Sequence, residues 1–470
     1  MTDVQRLGEA RARARGRNGQ RKLPSWRLEA LKTTFWVMPT VLVLVAGLLF
    51  LVTFEIDWAA YHHHLHLPFW IESGSADAAR QVLIAIAAAV ITVVGVVFSI
   101  TILALTLASQ QFGPRMMRNF VRDVGNQVTL ATFVATFVYS VLALVSITSI
   151  PHQADFVPHL SVTVAEALLL VDLAVLIYFI HHIAKSIQLP EVIAGIARDL
   201  MRAIDAEFPV RDTDDSFPML TGNEKSVPEL LKLLDERGGA ITADASGYLQ
   251  FVGYAQLVAI ASRTDAVIRL DHRPGHFVVA GGPLATVWPR GAAEQVRLAL
   301  AKAHVTGPHR TLMQDPVFAI DQLVEIAIRA LSPAVNDTFT ALTCIDWLSA
   351  GLSRLSSRTL VEAFYRDGFG RVRLIESDPS YAKMVNRAFD KIRQAARGMP
   401  AVIIRLLHAL ALVTVQTISA EQRRILLHQA DMILQAAEES VSDANDLEDI
   451  RARYRRLLAI YEEETEDLSR

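Results

Sequence analysis

Asp172 stands inside an apolar run, "SVTVAEALLLVDLAVLIYFIHHIAKSI", with Glu166 six residues before it. A carboxylate at mid-span costs about 2.5–3.5 kcal/mol on insertion scales, so it faces protein or water rather than lipid. Its chemistry is then either a hydrogen bond to a hydroxyl of a neighbouring span or a station on an ion or proton pathway. The run offers Asp172 no lysine or arginine as a partner before Lys185. Six residues set the two acids about 120° apart on a helix, so they do not form a simple paired site.

A second pattern lies in "VVFSITILALTLASQQFGPRMMRNF". Thr92, Ser99 and Thr106 recur every seven residues, with Gly95, Leu103 and Gln110 near the same side. A seven-residue step drifts only about 20° around a helix, so these residues share a face. Two readings compete. Small and hydroxylated residues let helices approach closely in lipid. Alternatively the stripe faces water, with Leu103 as an apolar constriction that gates by dewetting.

The third group follows in "QDPVFAIDQLVEIAIRALSPAVNDTFTAL". Asp321, Glu325 and Arg329 step by four, the spacing of a solvated salt-bridge face. Asn336 or Asp337 can cap the helix that follows. With Arg310 and Asp315 nearby, the region is a candidate ligand or subunit-contact site. Four histidines crowd "YHHHLHLPFW" (His62, His63, His64 and His66). Zinc ligands come from separated segments, so the flanking Trp58, Tyr61, Phe69 and Trp70 read more simply as an interfacial aromatic belt.

No phosphate loop, dinucleotide fingerprint, zinc-protease motif or nucleophile elbow is present, so neither an enzyme nor a cofactor or metal is expected. A net charge of -3 gives no nucleic-acid signal. The single cysteine, Cys344, reads as a small buried hydrophobe and fits a reducing compartment.

The elements that must position these residues begin with four apolar stretches, about 34–54, 81–108, 127–150 and 161–187, each near the roughly 20 residues a span needs. Arginine and lysine crowd residues 1–32, Arg115, Arg118 and Arg122 follow the second stretch, and Lys185 ends the fourth. With four spans these flanks fall on one side, which predicts cytoplasmic termini. The second stretch exceeds the bilayer core, so its end is expected to tilt or project toward Gln110, Gln111 and Arg115.

"VVFSITILALTLASQQFGPRMMRNF", "FVPHLSVTVA", "IYFIHHIAKSIQ" and "QDPVFAIDQLVEIAIRALSPAVNDTFTAL" together resemble a bacterial membrane-protein family, that of domain of unknown function 2254. The resemblance covers most of residues 30–440. It implies a multi-pass protein of the bacterial inner membrane with a cytoplasmic domain, and brings no established activity.

The expected fold is mainly α. A basic tail (1–32) precedes a four-helix transmembrane domain (33–188), a helical connector (189–240), a small β-barrel or sandwich module (241–290) and a C-terminal helical domain (291–470). "YLQFV", "AVIRL", "HFVVA" and "LATVW" read as strands, with "RPGHFV" as a turn. No lysine lies between Lys232 and Lys302, which excludes a lipoyl or biotinyl carrier. Residues 400–417 read as a buried helix, not a fifth span. The functional expectation is a homo-oligomeric channel or channel-like protein passing an ion or small solute, with a cytoplasmic regulatory domain. The alternative is a membrane-anchored sensor or scaffold. Beyond lipid and its own copies no partner is implied.

Overall fold

A computed structural model describes residues 37–62, 68, 74–112, 123–148, 155–208, 226–358, 364–376 and 380–467. The basic tail, His63, His64, His66, Phe69, Trp70, Arg115, Arg118 and Arg122 lie outside the described residues. The chain divides into two compact units, one of Arg21–Glu191 and one comprising Val192–Arg470.

In the first unit, helices α1 (Val37–Tyr61), α2 (Ala76–Phe112), α3 (Val124–Ser146) and α4 (His159–Ser186) are each long and apolar enough to cross a membrane. α3 packs against each of the other three. It turns Asn126, Thr129, Phe133, Thr136, Ser140 and Ala143 inward, steps of three and four residues that keep one seam on its partners. α2 packs through Ala79, Leu83, Ile86, Val90, Val97 and Ala104. At 37 residues α2 is about 55 Å long, well beyond the roughly 30 Å hydrocarbon core.

The second unit opens with α5 (Leu189–Glu207) and α6 (Val227–Arg237), whose N-terminus is closed by a Ser226–Glu229 capping box. Two sheets follow. One runs β1 (Gly239–Thr242), β5 (Pro283–Trp288), β3 (Val267–Leu270), β8 (Val372–Ile375), β7 (Phe364–Arg366) from edge to edge; only its β3–β8 pair is parallel. The other is the antiparallel ribbon β4 (Phe277–Val278), β2 (Gly247–Val252), β6 (His304–Gly307). Both sheets share one apolar core with α7 (Tyr254–Arg263) and α8 (Ala293–Ala303), in which Leu249, Leu257, Ile268, Val287, Val296 and Leu374 meet.

Closure into a barrel, one of the two forms expected of the β module, does not occur: both sheets are open. Nor is the sheet made within residues 241–290 alone, because β7 and β8 come from beyond residue 360. The remaining helices are α9 (Pro316–Ala330), α10 (Thr338–Ser356), α11 (Tyr381–Ala395), α12 (Pro400–Val415), α13 (Ala420–Ser440) and α14 (Ala444–Asp467). α12 packs on α10, α13 and α14 through Val402, Ile403, Leu406, Leu407, Leu410 and Val413. Its 16 residues are too few to span. Cys344 is fully buried in α10, and that burial pushes its thiol up to about 12.

Candidate functional site

The polar stripe of α2 points away from the bundle. Val90, Val97 and Ala104 face the other helices, and Thr92, Ser99 and Thr106 lie two residues on from each, about 200° around the helix. Leu103 on the same side is 59% exposed, and a side chain at Gly95 would meet nothing within 4 Å. Packing of the stripe against another described helix of the same chain is thereby excluded. Each hydroxyl donates to its own helix four residues back: Thr92 to Ala88 O (2.7 Å), Ser99 to Gly95 O (2.8 Å) and Thr106 to Ile102 O (2.9 Å). Gln110 continues the helix, and its side chain lies outside what is described.

Asp172 and Glu166 part company. Glu166 is exposed on the outer face of α4, whereas Asp172 turns into the bundle and is only 2% exposed. Thr136 Oγ1 of α3 donates to Asp172 Oδ1 at 3.1 Å, while Asp172 Oδ2 makes no hydrogen bond among the described residues. Ser140 Oγ, one turn farther along α3, donates to Thr136 O.

The small hydroxyl residues that meet the bundle interior are therefore those of α3, Thr129, Thr136 and Ser140, spaced seven and four residues apart where the stripe of α2 steps by seven throughout. Burial needs an apolar face on at least one side of a helix, and α2 satisfies that with Leu83, Ile86, Val90 and Val97 on the side opposite its hydroxyls.

Each end of the bundle is closed by an aspartate at a helix N-terminus, where amides lack intrahelical partners. Asp57, in the last turn of α1, accepts from Leu160 N (2.8 Å), Ser161 N (2.9 Å) and Ser161 Oγ (2.7 Å) at the start of α4. Ser161 Oγ also reaches Thr53 Oγ1 (3.1 Å), which bonds Tyr139 OH (2.9 Å), so α1, α3 and α4 are stitched by one buried chain of oxygens. Phe54, Trp58, Tyr61 and Phe156 surround that end with ring centroids 5.4–6.4 Å apart. His62 joins them through Nδ1 and Trp58 O (2.9 Å).

At the opposite end Asp123 accepts from Gly125 N (2.7 Å) and Asn126 N (3.3 Å), and its Oδ1 lies 2.8 Å from His182 Nε2. Among the described residues no group of three or more metal-binding side chains converges.

In the second unit Arg310, Asp315 and Asp321 meet. Arg310 lies 2.7 Å from Asp315 Oδ2 and 2.5 Å from Asp321 Oδ2, above the ring of Phe318 at 5.1 Å. Arg387 of α11 closes on the other oxygen of Asp321, which holds its guanidinium above the ordinary range. Burial pushes the Asp315 carboxyl up, and Arg310 offsets part of that.

The turn before β4 packs on the same acid: Gly275, at φ +93°, lies so close that a β-carbon would sit 2.2 Å from Asp315 Oδ2. Beside it, burial and the charges of Arg273, His272, Arg310 and Lys383 pull the His276 imidazole down to about 4. Asp321 is thus not the first rung of a solvated ladder with Glu325 and Arg329. α9 is packed by both α10 and α11, and Gln322 and Val324, which flank the line of Asp321 and Glu325, are buried. Asn336, at φ +48°, makes the turn, and Asp337 caps α10 by accepting from Thr340 N (3.1 Å) and Thr340 Oγ1 (2.6 Å).

Several side chains were not singled out from sequence. Arg387 is one. Another group is Tyr254 and Tyr365, stacked at 4.8 Å, which hold Glu376 at 2.7 Å and 3.2 Å. Burial raises the Glu376 carboxyl there. Asp57 and its partners were missed too, although an acid closing one apolar stretch and a serine opening another were both readable.

The predicted membrane protein family DUF2254 matches residues 32–412. Uncharacterized proteins of Mycobacterium tuberculosis and Mycobacterium bovis are each 35% identical over 379 residues, 79% of this chain and 71% of theirs. No solved structure matches.

Proposed function

The chain belongs to the predicted membrane protein family DUF2254, and we propose that it is a homo-oligomeric, channel-like permeation protein of the bacterial inner membrane. The observation that carries the reading is the outward polar face of α2. Thr92, Gly95, Ser99 and Thr106 are left unused by the described helices of their own chain, and in this reading a second subunit or water faces them. Exposed Glu166 on α4 supports it, because a carboxylate on a lipid-facing side is costly. Leu103 then forms the constriction in a path between subunits, and the permeant is an ion or small solute. The arginines and lysines flanking the spans favour cytoplasmic termini, with the second unit as regulatory domain.

One observation favours a second reading, a membrane-anchored sensor or scaffold: every stripe hydroxyl already bonds its own backbone and needs neither water nor partner. Single cysteines at Ser99 and Thr106 separate the two. Under the channel reading a water-soluble maleimide labels both in membranes, the purified protein is an oligomer in mild detergent, and Leu103→Ser raises solute leak from liposomes. A strict monomer without flux and with unreactive thiols ends the channel reading.

A further inference from the structure

Between Asp57 and Asp172 the bundle holds a group of buried oxygens, which Phe133 and Phe179 separate from buried Asn126, Gln127 and Thr129 nearer the other end. From the Asp57 end the buried oxygens run Asp57, Ser161, Thr53 and Tyr139, with successive separations of 2.7, 3.1 and 2.9 Å. On α3 Thr136 Oγ1 donates to Asp172 Oδ1, while Ser140 Oγ is turned onto the Thr136 carbonyl. Past Asp172 the interior is filled by the fully buried rings of Phe133 and Phe179. Both lie toward the Asp123–His182 end, since α3 and α4 run antiparallel. Asp172 is therefore the floor of a blind polar column. It is buried, and among the described residues its Oδ2 has no donor and no cation pairs with it. A hard metal cation takes about six oxygens, and one carboxyl with one hydroxyl falls far short.

We propose that Asp172 is a proton-binding carboxyl that exchanges with one face of the membrane through the column of Thr136, Tyr139, Thr53 and Ser161. Uptake forms an O–H bond on Asp172 Oδ1, the oxygen to which Thr136 Oγ1 donates, and release breaks it. Each hydroxyl on the way passes its own proton along one hydrogen bond and accepts another, so the column ends as it began. No hydrogen bond joins Tyr139 OH to Thr136 Oγ1 among the described residues, and the proposal assigns that one step to a water molecule bonded to both.

The ionisable groups facing the column are few. Asp57 and, within electrostatic reach of it, His159 stand at its mouth; Tyr139 is within it. Glu166 points outward, and Asp123 and His182 are paired at the far end beyond the phenylalanines. α2 turns only apolar residues inward along this stretch. The proposal lies inside one chain and stands whether or not subunits assemble.

The test uses the full-length protein in lipid nanodiscs and infrared difference spectra across a pH jump, with aspartate carboxyls carbon-13 labelled. A protonated-carboxyl band is expected that shifts with the label, disappears in Asp172→Asn and returns displaced in Asp172→Glu. If Asp172→Asn does not fold, the labelled wild type and Asp172→Glu supply the assignment. On transfer to heavy water, Tyr139→Phe and Thr53→Val should slow exchange of that band about tenfold or more, the effect of one lost step on a barrier. Absence of a titrating band that moves in Asp172→Glu overturns the proposal, and so does exchange at the wild-type rate in both column variants.

Discussion

His276 carries a pH dependence whose sign follows from its surroundings. Burial, then the positive charges of Arg273, His272, Arg310 and Lys383, hold its imidazole at about 4 in the folded chain. An unfolded histidine titrates near about 6.5. Above that both states are neutral and His276 contributes nothing to pH dependence. As pH falls from about 6.5 toward about 4, the unfolded chain takes up a proton that the folded one refuses, so stability declines through that window. The melting temperature of the second unit should fall across it, and His276→Asn should flatten the fall. Parallel melting curves for the two chains would mean that the folded imidazole titrates normally. The same turn shows why Gly275 is a glycine: its φ of +93° and its approach to Asp315 both exclude a side chain. "RPGH" was readable as a turn, but not the acid it would press against forty residues later.

At the scale of the helix, Asp57 does for α4 what a residue of α4 ordinarily does for itself. Pro158 stands at the N-cap and its side chain offers no acceptor, so the first amides of α4 depend on α1. Asp57→Ala should destabilise the bundle by about 1–3 kcal/mol, the cost of leaving buried donors unpaired. Thermal unfolding in detergent measures it, and a loss no larger than that of the exposed neighbour Glu55→Ala would show the cap to be idle. The four apolar helices were legible from composition alone, because hydrocarbon admits little else. Which face of each turns inward was not. Small hydroxyl residues at helix-face spacing occur on both, Thr92, Ser99 and Thr106 on α2 and Thr129, Thr136 and Ser140 on α3. Only the apolar residues opposite them, strong on α2, tell the two apart. Asp321 misled for a related reason: its spacing to Glu325 and Arg329 is local, whereas Arg310 and Arg387, which bind it, are set by tertiary packing.

Over the whole chain, contacts distant in sequence decide what local pattern leaves open. β3 pairs with β8 across more than a hundred residues, which is why the sheet could not be read from residues 241–290. The Asp57 bonds span 103 and 104 residues and have a temporal consequence. During synthesis α1 is the first of the four to reach the bilayer and α4 the last, so the acid of α1 waits for donors that the ribosome has not yet made. Until then it is a polar defect in an incomplete bundle, visible to membrane quality-control proteases. A chain ended at Ile150 should therefore be short-lived in cells, and Asp57→Leu should lengthen its half-life. In the full-length chain the same substitution should shorten it, because there the donors have arrived and the acid is missing. Pulse-chase half-lives of the four chains give the two signs, and a substitution acting in the same direction in both lengths would refute the order of events.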